Sequence, residues 1–206
     1  MKKNIKNIPA KESIIKIVTA NRDETVSIGA AFGTYLKAGD IICLEGDLGA
    51  GKTVFTSGIA QGMGIIGIVH SPTFTILIEH DNHGNYMQQK MMPLYHFDAY
   101  RLEGEQDFYD LGFDEYFSGN GVCVIEWADK IKGAIPQNAI HVVLRRGFGE
   151  TSDWCRIHGS GETSDRREFE FIFGDGSERW ELFLNKIRDQ GLGATIDNVT
   201  RSGDTG

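Results

Sequence analysis

The stretch Ile41-Ile42-Cys43-Leu44-Glu45-Gly46-Asp47-Leu48-Gly49-Ala50-Gly51-Lys52-Thr53 decides the fold class of this 206-residue chain. Its four leading apolar residues show no polar alternation, the mark of a strand buried on both faces. Glycines follow at once, and Lys52 to Met63 suits a helix. Residues Gly46, Asp47, Leu48, Gly49, Ala50, Gly51, Lys52 and Thr53 match G-x-x-x-x-G-K-[ST] in full, in the strand-to-helix setting that the pattern requires. Such a loop turns successive backbone N–H groups toward phosphate oxygens, and the helix start adds its positive dipole end. Lys52 then reaches the β- and γ-phosphates, and the Thr53 hydroxyl ligates magnesium. The 26 glycines raise the chance of a fortuitous match, but the flanking strand and helix count against it.

Outward from this loop, strands and helices alternate. Glu24 to Lys37 has helical apolar spacing, with Gly39 as a stop. Strands are expected at Thr75–Glu79, Met92–Phe97, Val122–Ile125, His141–Leu144 and Glu168–Phe173, and a helix at Glu105–Leu111. Asp81 to Asn85 is a turn signal, and Pro93 weakens the start of its strand. The pattern predicts an α/β, P-loop NTPase-like three-layer sandwich with a mostly parallel central sheet. Residues 1–190 are expected to form one domain, interrupted by a polar loop or insertion at about 145–167. Residues 191–206 read as a flexible C-terminal tail.

A P-loop needs an acid at the end of a neighbouring strand. Two segments provide one: Val122 to Glu126 ends in Glu126, and Leu94 to Asp98 ends in Asp98. Either could instead be an ordinary strand-end acid. Alternation places His96 and Asp98 on one face of their strand, but no third nitrogen or sulfur ligand is near in sequence. His96 therefore reads as a structural or supporting residue. Ser71, Pro72, Thr73 and Phe74 form a stiffened loop whose hydroxyls suit a γ-phosphate or an attacking water, although such a turn is often only a turn.

Gly-Asp-Leu-Gly-Ala-Gly-Lys-Thr at 46–53, Ser-Pro-Thr-Phe at 71–74, His-Phe-Asp-Ala-Tyr-Arg-Leu at 96–102 and Ile-Glu-Trp-Ala at 125–128 occur in this order. Together they resemble the bacterial TsaE (YjeE) family, the ATPase of tRNA threonylcarbamoyladenosine biosynthesis, over roughly Asn21 to Leu144. The resemblance implies an ATPase of low intrinsic turnover that uses ATP and Mg2+, and three scattered cysteines fit a reduced, cytoplasmic compartment. Its implied partners are TsaB and TsaD, and the acidic net charge of -8 adds that tRNA is met only indirectly. The resemblance also implies residue roles: Thr53 and Glu126 as magnesium ligands, Asp98 as the residue that positions the water, and Lys52 as its catalytic companion. Glu24, Thr25, Trp127 and Arg167 join the P-loop in binding ATP. For Trp127, plain packing is the competing reading.

Composition narrows the classes further. The formal net charge of -8 lacks the Lys/Arg excess that a broad nucleic-acid surface needs. The basic opening Met1 to Lys6 has no apolar stretch behind it, which argues against a secretion signal, and the patch at Ile65 to Val69 is too short for a membrane span. Three scattered cysteines make no disulfide or zinc framework. A small-molecule kinase would normally carry an arginine-rich lid, for which only Arg166-Arg167 is a candidate. A GTPase would want an Asn-Lys-x-Asp segment, and Asn185-Lys186-Ile187-Arg188 lacks the aspartate. A nucleotide-gated binding module is the reading left open from outside the enzyme class.

Overall fold

The structure, a computed structural model, describes residues 13–80, 92–147, 165–173, 178–191 and 194–197. Its centre is β2 (Ile41–Glu45), flanked on both sides by parallel strands, β5 (Val122–Glu126) and β6 (Ile140–Arg146). Strand β4 (Leu94–Asp98) extends the parallel part beyond β5. Antiparallel strands finish both sides: β3 (Leu77–His80) on β4, then β7 (Arg167–Phe173), β1 (Ser13–Thr19) and β8 (Ala194–Asp197) beyond β6. The order is β3-β4-β5-β2-β6-β7-β1-β8.

Burial explains the two kinds of strand. Apart from half-exposed Glu45, β2 and β5 are buried residue after residue, as their unbroken apolar runs require when both faces are covered. By contrast β7 alternates, with Phe169, Phe171 and Phe173 inward and Glu168 and Glu170 toward water. One face of the sheet carries α1 (Arg22–Gly33), α2 (Lys52–Gly62) and α4 (Glu178–Asp189). The other, beneath the parallel strands, carries α3 (Glu105–Asp110) and the 3-10 segments Ala99–Arg101, Phe113–Ser118 and Ala128–Ala134. These are the three expected layers.

The helix that matters for function is held from two sides. Gly29 and Gly33 of α1 face Gly58 and Gly62 of α2, so closely that a Cβ on Gly29 would stand 2.5 Å from the Phe55 carbonyl oxygen and 2.9 Å from Gly58 Cα. Below, Phe55 of α2 packs on Phe169 at 5.2 Å between ring centroids, and Phe32 of α1 packs on Phe171 and Phe183 at 5.3 Å each. Asn21 caps α1: its side chain accepts from the Glu24 N–H at 2.9 Å, and the Glu24 carboxylate accepts from the Ala20 N–H at 2.7 Å. This is a variant of the capping box, with the Glu24 carboxylate reaching the N–H one residue before the cap.

Several boundaries differ from the sequence outline for local reasons. Thr75 and Ile76 belong to a turn, both N–H groups donating to the Pro72 carbonyl, so β3 begins two residues later than expected. The expected insertion at 145–167 is corrected at its ends. Arg145 and Arg146 continue β6 and Arg167 opens β7, with Arg146 directly opposite Arg167. The interior of that segment, 148–164 with Cys155, lies outside the described residues, as do the turn at 81–85 and the basic opening at 1–6. The outline also lacked β1 and α4. In the segment read as a flexible tail, β8 pairs with β1 in antiparallel register from Ala194 opposite Ile17 to Asp197 opposite Ile14, and 198–206 lie outside the description. No described helix is long and apolar enough to cross a membrane.

Candidate nucleotide-binding site

The site grows from one sheet face. Alternation puts Leu94, His96 and Asp98 of β4, with Val122, Val124 and Glu126 of β5, on the face covered by α2, and Asp98 lies directly opposite Glu126. Both acids end their strands beside the end of β2, from which the P-loop departs. Gly46, Gly49 and Gly51 have φ of 144°, 77° and 107°, backbone that side-chain-bearing residues rarely adopt. At Gly51 a Cβ would also meet Arg167 Nε at 2.7 Å. The loop and the first turn of α2 thus present N–H groups to a cleft of about 400 Å³, within the size range of small-molecule sites. Its walls include Lys52, Thr53, Ser71, Thr73, Asp98, Glu126, Trp127 and Arg167.

Lys52 is folded back in this state. Its Nζ donates to the carbonyls of Gly46 at 2.6 Å and Asp47 at 3.0 Å, and sits 3.8 Å above the Trp127 ring. Burial pushes the ammonium pKa below its ordinary value, while the carboxylates of Glu126, Asp98, Asp129 and Asp47 pull the other way. Trp127 has φ 59° and ψ 39°, the left-handed conformation, which is uncommon for an aromatic residue and places its ring under Lys52. Trp127 both lines the cleft and packs, its ring 5.1 Å from that of Tyr100.

The two acids have different surroundings. Glu126 Oε1 accepts from the Thr53 hydroxyl at 2.8 Å and pairs with His96 Nε2 at 2.9 Å. Asp98 Oδ2 accepts from the hydroxyls of Thr73 at 2.6 Å and Ser71 at 3.2 Å, while Oδ1 takes the Tyr100 N–H at 3.0 Å. Arg101 closes this loop from outside, donating to the Thr73 carbonyl at 2.8 Å with its guanidinium 4.6 Å from the Phe74 ring. Phe74 itself is 85% exposed. The structure therefore brings the P-loop, both strand-end acids and the 71–74 loop to one place.

The family model described as threonylcarbamoyl adenosine biosynthesis protein TsaE matches residues 19–152. The chain belongs to the TsaE family. Among its relatives is the tRNA threonylcarbamoyladenosine biosynthesis protein TsaE of Bacillus subtilis, 49% identical over 132 residues, which cover 64% of this chain and 78% of that one. The protein of the same name from Treponema pallidum is 38% identical over 131 residues, 64% of this chain and 91% of that one. A solved structure, Bacillus subtilis YdiB, is 36% identical and superposes with a TM-score of 0.61, covering 87% of this chain and 97% of its own. The TsaE match includes the P-loop, the 71–74 loop, both acids and the end of β6, and stops short of β7.

Of the expected ATP-binding residues, Gly46, Asp47 and Ala50 of the P-loop are not among the cleft walls, and neither are Glu24 and Thr25. Glu24 is committed to the α1 cap, and the buried Thr25 hydroxyl lies 3.0 Å from that of Thr19 and donates to the Asn21 carbonyl at 3.1 Å. Arg167 does line the cleft. It is buried against Gly51, its Nη1 donates to the Asp165 carbonyl at 2.8 Å, and its Nε has no partner among the described residues. Burial, with Arg146 beside it, lowers its pKa from the ordinary value. Arg146 also lines the cleft and was missed by sequence reasoning. Its guanidinium reaches the Gly49 carbonyl at 3.4 Å and Asp165 at 3.0 Å. The reason lies in the strand order, which the sequence does not give: β6 runs parallel beside β2, so the carboxyl end of β6 arrives next to the P-loop.

Proposed function

We propose that this chain binds ATP with magnesium in the P-loop cleft, hydrolyses it slowly, and serves threonylcarbamoylation of the adenosine beside the tRNA anticodon together with the TsaB–TsaD proteins. The observation that carries the chemistry is the meeting of Lys52, Thr53, Glu126 and Asp98 in one cleft with a helix start at its base. The names of the relatives supply the pathway.

The cleft suits the metal. Thr53 Oγ1 and Glu126 Oε1 stand 2.8 Å apart, about the spacing of adjacent oxygen donors in an octahedron with bonds of about 2.0–2.1 Å. Both are hard oxygen donors, and they leave the other positions to phosphate and water. When bound, magnesium supplies charge neutralisation on the β- and γ-phosphates. The chain's own residues do the rest. The loop N–H groups hold the phosphates, and Lys52 leaves the Gly46 and Asp47 carbonyls for the β,γ bridge. Asp98 holds the attacking water and takes its proton as the oxygen bonds to the γ-phosphorus, with ADP leaving. Ser71, Thr73 and Tyr100 already take three of the roughly four acceptor sites of Asp98, so a firm hold on the water requires the 71–74 hydroxyls to loosen theirs.

That last requirement favours a second reading, a nucleotide-gated docking module whose turnover is negligible until a partner rearranges the 71–74 loop. Phosphate release measured with and without the TsaB–TsaD complex separates the two. Stimulation by the partners supports an enzyme, and nucleotide-dependent docking without stimulation supports the module. Depletion of the protein is expected to lower threonylcarbamoylated adenosine in digested tRNA by mass spectrometry. Unchanged modification, with no second copy of the gene, would overturn the pathway and leave the nucleotide site standing. With a net charge of -8, direct tRNA affinity is expected to be weak.

A further inference from the structure

We infer that His96 is the positioning residue for the Glu126 carboxylate, fixing from beneath the oxygen that faces Thr53. The inference rests on the magnesium reading above and adds a residue to it.

The middle of the sheet face under α2 is apolar, with Leu94, Val122 and Val124 around His96. His96 is fully buried there, a costly place for an imidazole unless it has a fixed partner. That partner is Glu126, whose side chain is itself only 4% exposed. The Nε2–Oε1 distance of 2.9 Å and the Thr53 Oγ1–Oε1 distance of 2.8 Å meet on one carboxylate oxygen. The tautomer follows. His96 Nδ1 has no partner among the described residues, so the ring nitrogen that donates is Nε2, toward Glu126. His80 stacks on the ring at 6.1 Å between centroids and its own Nε2 is likewise without a partner, so no competing bond draws His96 away.

The geometry has a specific consequence. A carboxylate at the end of a strand can rotate about its side-chain torsions. A donor held immobile in the core removes that freedom and leaves Oε1 aimed at Thr53. Partners that orient ligating groups in this way typically contribute about 10–100-fold to metal affinity. The register makes it economical: His96 is two residues before Asp98 on β4, so the strand that presents the water-positioning acid also carries the support for the other acid.

The test compares His96→Leu, which removes the donor at similar volume, with His96→Gln, whose amide places an N–H near the Nε2 position. Binding of a fluorescent ATP analogue is titrated against magnesium, with a magnesium-free arm in EDTA, and each variant is first shown to be folded by its melting curve. The expected result for His96→Leu is a tenfold or greater rise in the magnesium concentration at half-effect, with EDTA-arm affinity within twofold of wild type. His96→Gln is expected within about threefold of wild type in both arms. Equal magnesium dependence in wild type and His96→Leu, or a Gln variant as impaired as the Leu variant, overturns the assignment of His96 alone. Wild-type affinity that ignores magnesium overturns the metal reading and this inference with it. Should His96→Leu not fold, nitrogen chemical shifts of the wild-type imidazole decide. A proton on Nε2 supports the inference, and one on Nδ1 overturns it.

Discussion

The parallel centre and the antiparallel wing of this sheet share α2 but use it differently. In the centre, β2, β4 and β5 end together, and Lys52, Glu126, Asp98 and His96 are buried polar groups that depend on specific partners. In the wing, β7 reaches the cleft only through Arg167 at its start, and β1 does not line it. They offer Phe169, Phe171, Phe173, Ile15 and Ile17 to α1, α2 and α4. The wing holds the helix whose first turn lines the cleft. Stability and chemistry are thus divided between two regions of one sheet, and variants in each are expected to move different observables.

The largest effect on stability is expected in the wing. Phe171 is fully buried and contacts Phe32, Phe55 and Phe183 at 5.3–5.8 Å between centroids. Phe171→Ala is expected to cost about 3–5 kcal/mol in chemical denaturation. The fraction that remains folded should keep near-normal nucleotide affinity. A variant of ordinary stability, or a stable one that no longer binds nucleotide, would break the division.

Next in size is Lys52→Ala, expected to lower phosphate release about 10²–10³-fold, as removal of one well-placed charge stabiliser does. Its melting temperature should move far less than that of Phe171→Ala, because burying the Lys52 charge already works against the folded state. Wild-type turnover in this variant would remove the P-loop from the chemistry altogether.

Within the centre, the two acids sharpen the comparison. Glu126→Ala is expected to weaken magnesium-dependent nucleotide binding about 10–100-fold, since its partners are Thr53 and His96. Asp98→Ala is expected to leave binding within a few-fold and to slow hydrolysis by about 10²-fold or more. It should also raise proteolytic or exchange sensitivity at 71–74, whose hydroxyls lose their acceptor. Exchanged phenotypes would reverse the two roles while keeping the site.

What the sequence made legible follows the same boundary. The parallel centre declares itself through an unbroken apolar run, a glycine-rich turn and two strand-end acids, each a local signal. The wing depends on non-local pairing. Ser13 to Thr19 has an ordinary β-branched run, and only its partner Arg167–Phe173, some 150 positions away, makes it a strand of this sheet. Trp180, Phe183, Leu184 and Ile187 do carry helical spacing, so α4 was readable in principle, while the polar segments on either side of it drew attention away. The acids' partners were beyond sequence reasoning. Alternation puts His96 and Asp98 on one face, but nothing local says that His96 turns to Glu126 on the next strand while Asp98 turns to Ser71 and Thr73.

The smallest effect expected is at the outer edge of the wing. Strand β8 contributes four residues to the free side of β1 and meets α4 only at its margin, so it adds backbone pairing to an edge that is already held by β7. A chain ending at Gly191 would lose those ladder bonds, each worth about 0.5–1.5 kcal/mol net when formed, and an exposed edge recovers much of that from water. The expectation is a loss of about 1 kcal/mol, seen as a fall of about 2–4 °C in melting temperature for a domain of this size. Amide exchange in Ile14 to Ile17 should quicken on the side that faces β8, while nucleotide affinity stays unchanged because β1 lies three strands from β2. No change in either melting or exchange would return residues 191–206 to a tail that does not pair. A loss as large as that of Phe171→Ala would mean that the wing's stability resides in its edge rather than in its aromatic face.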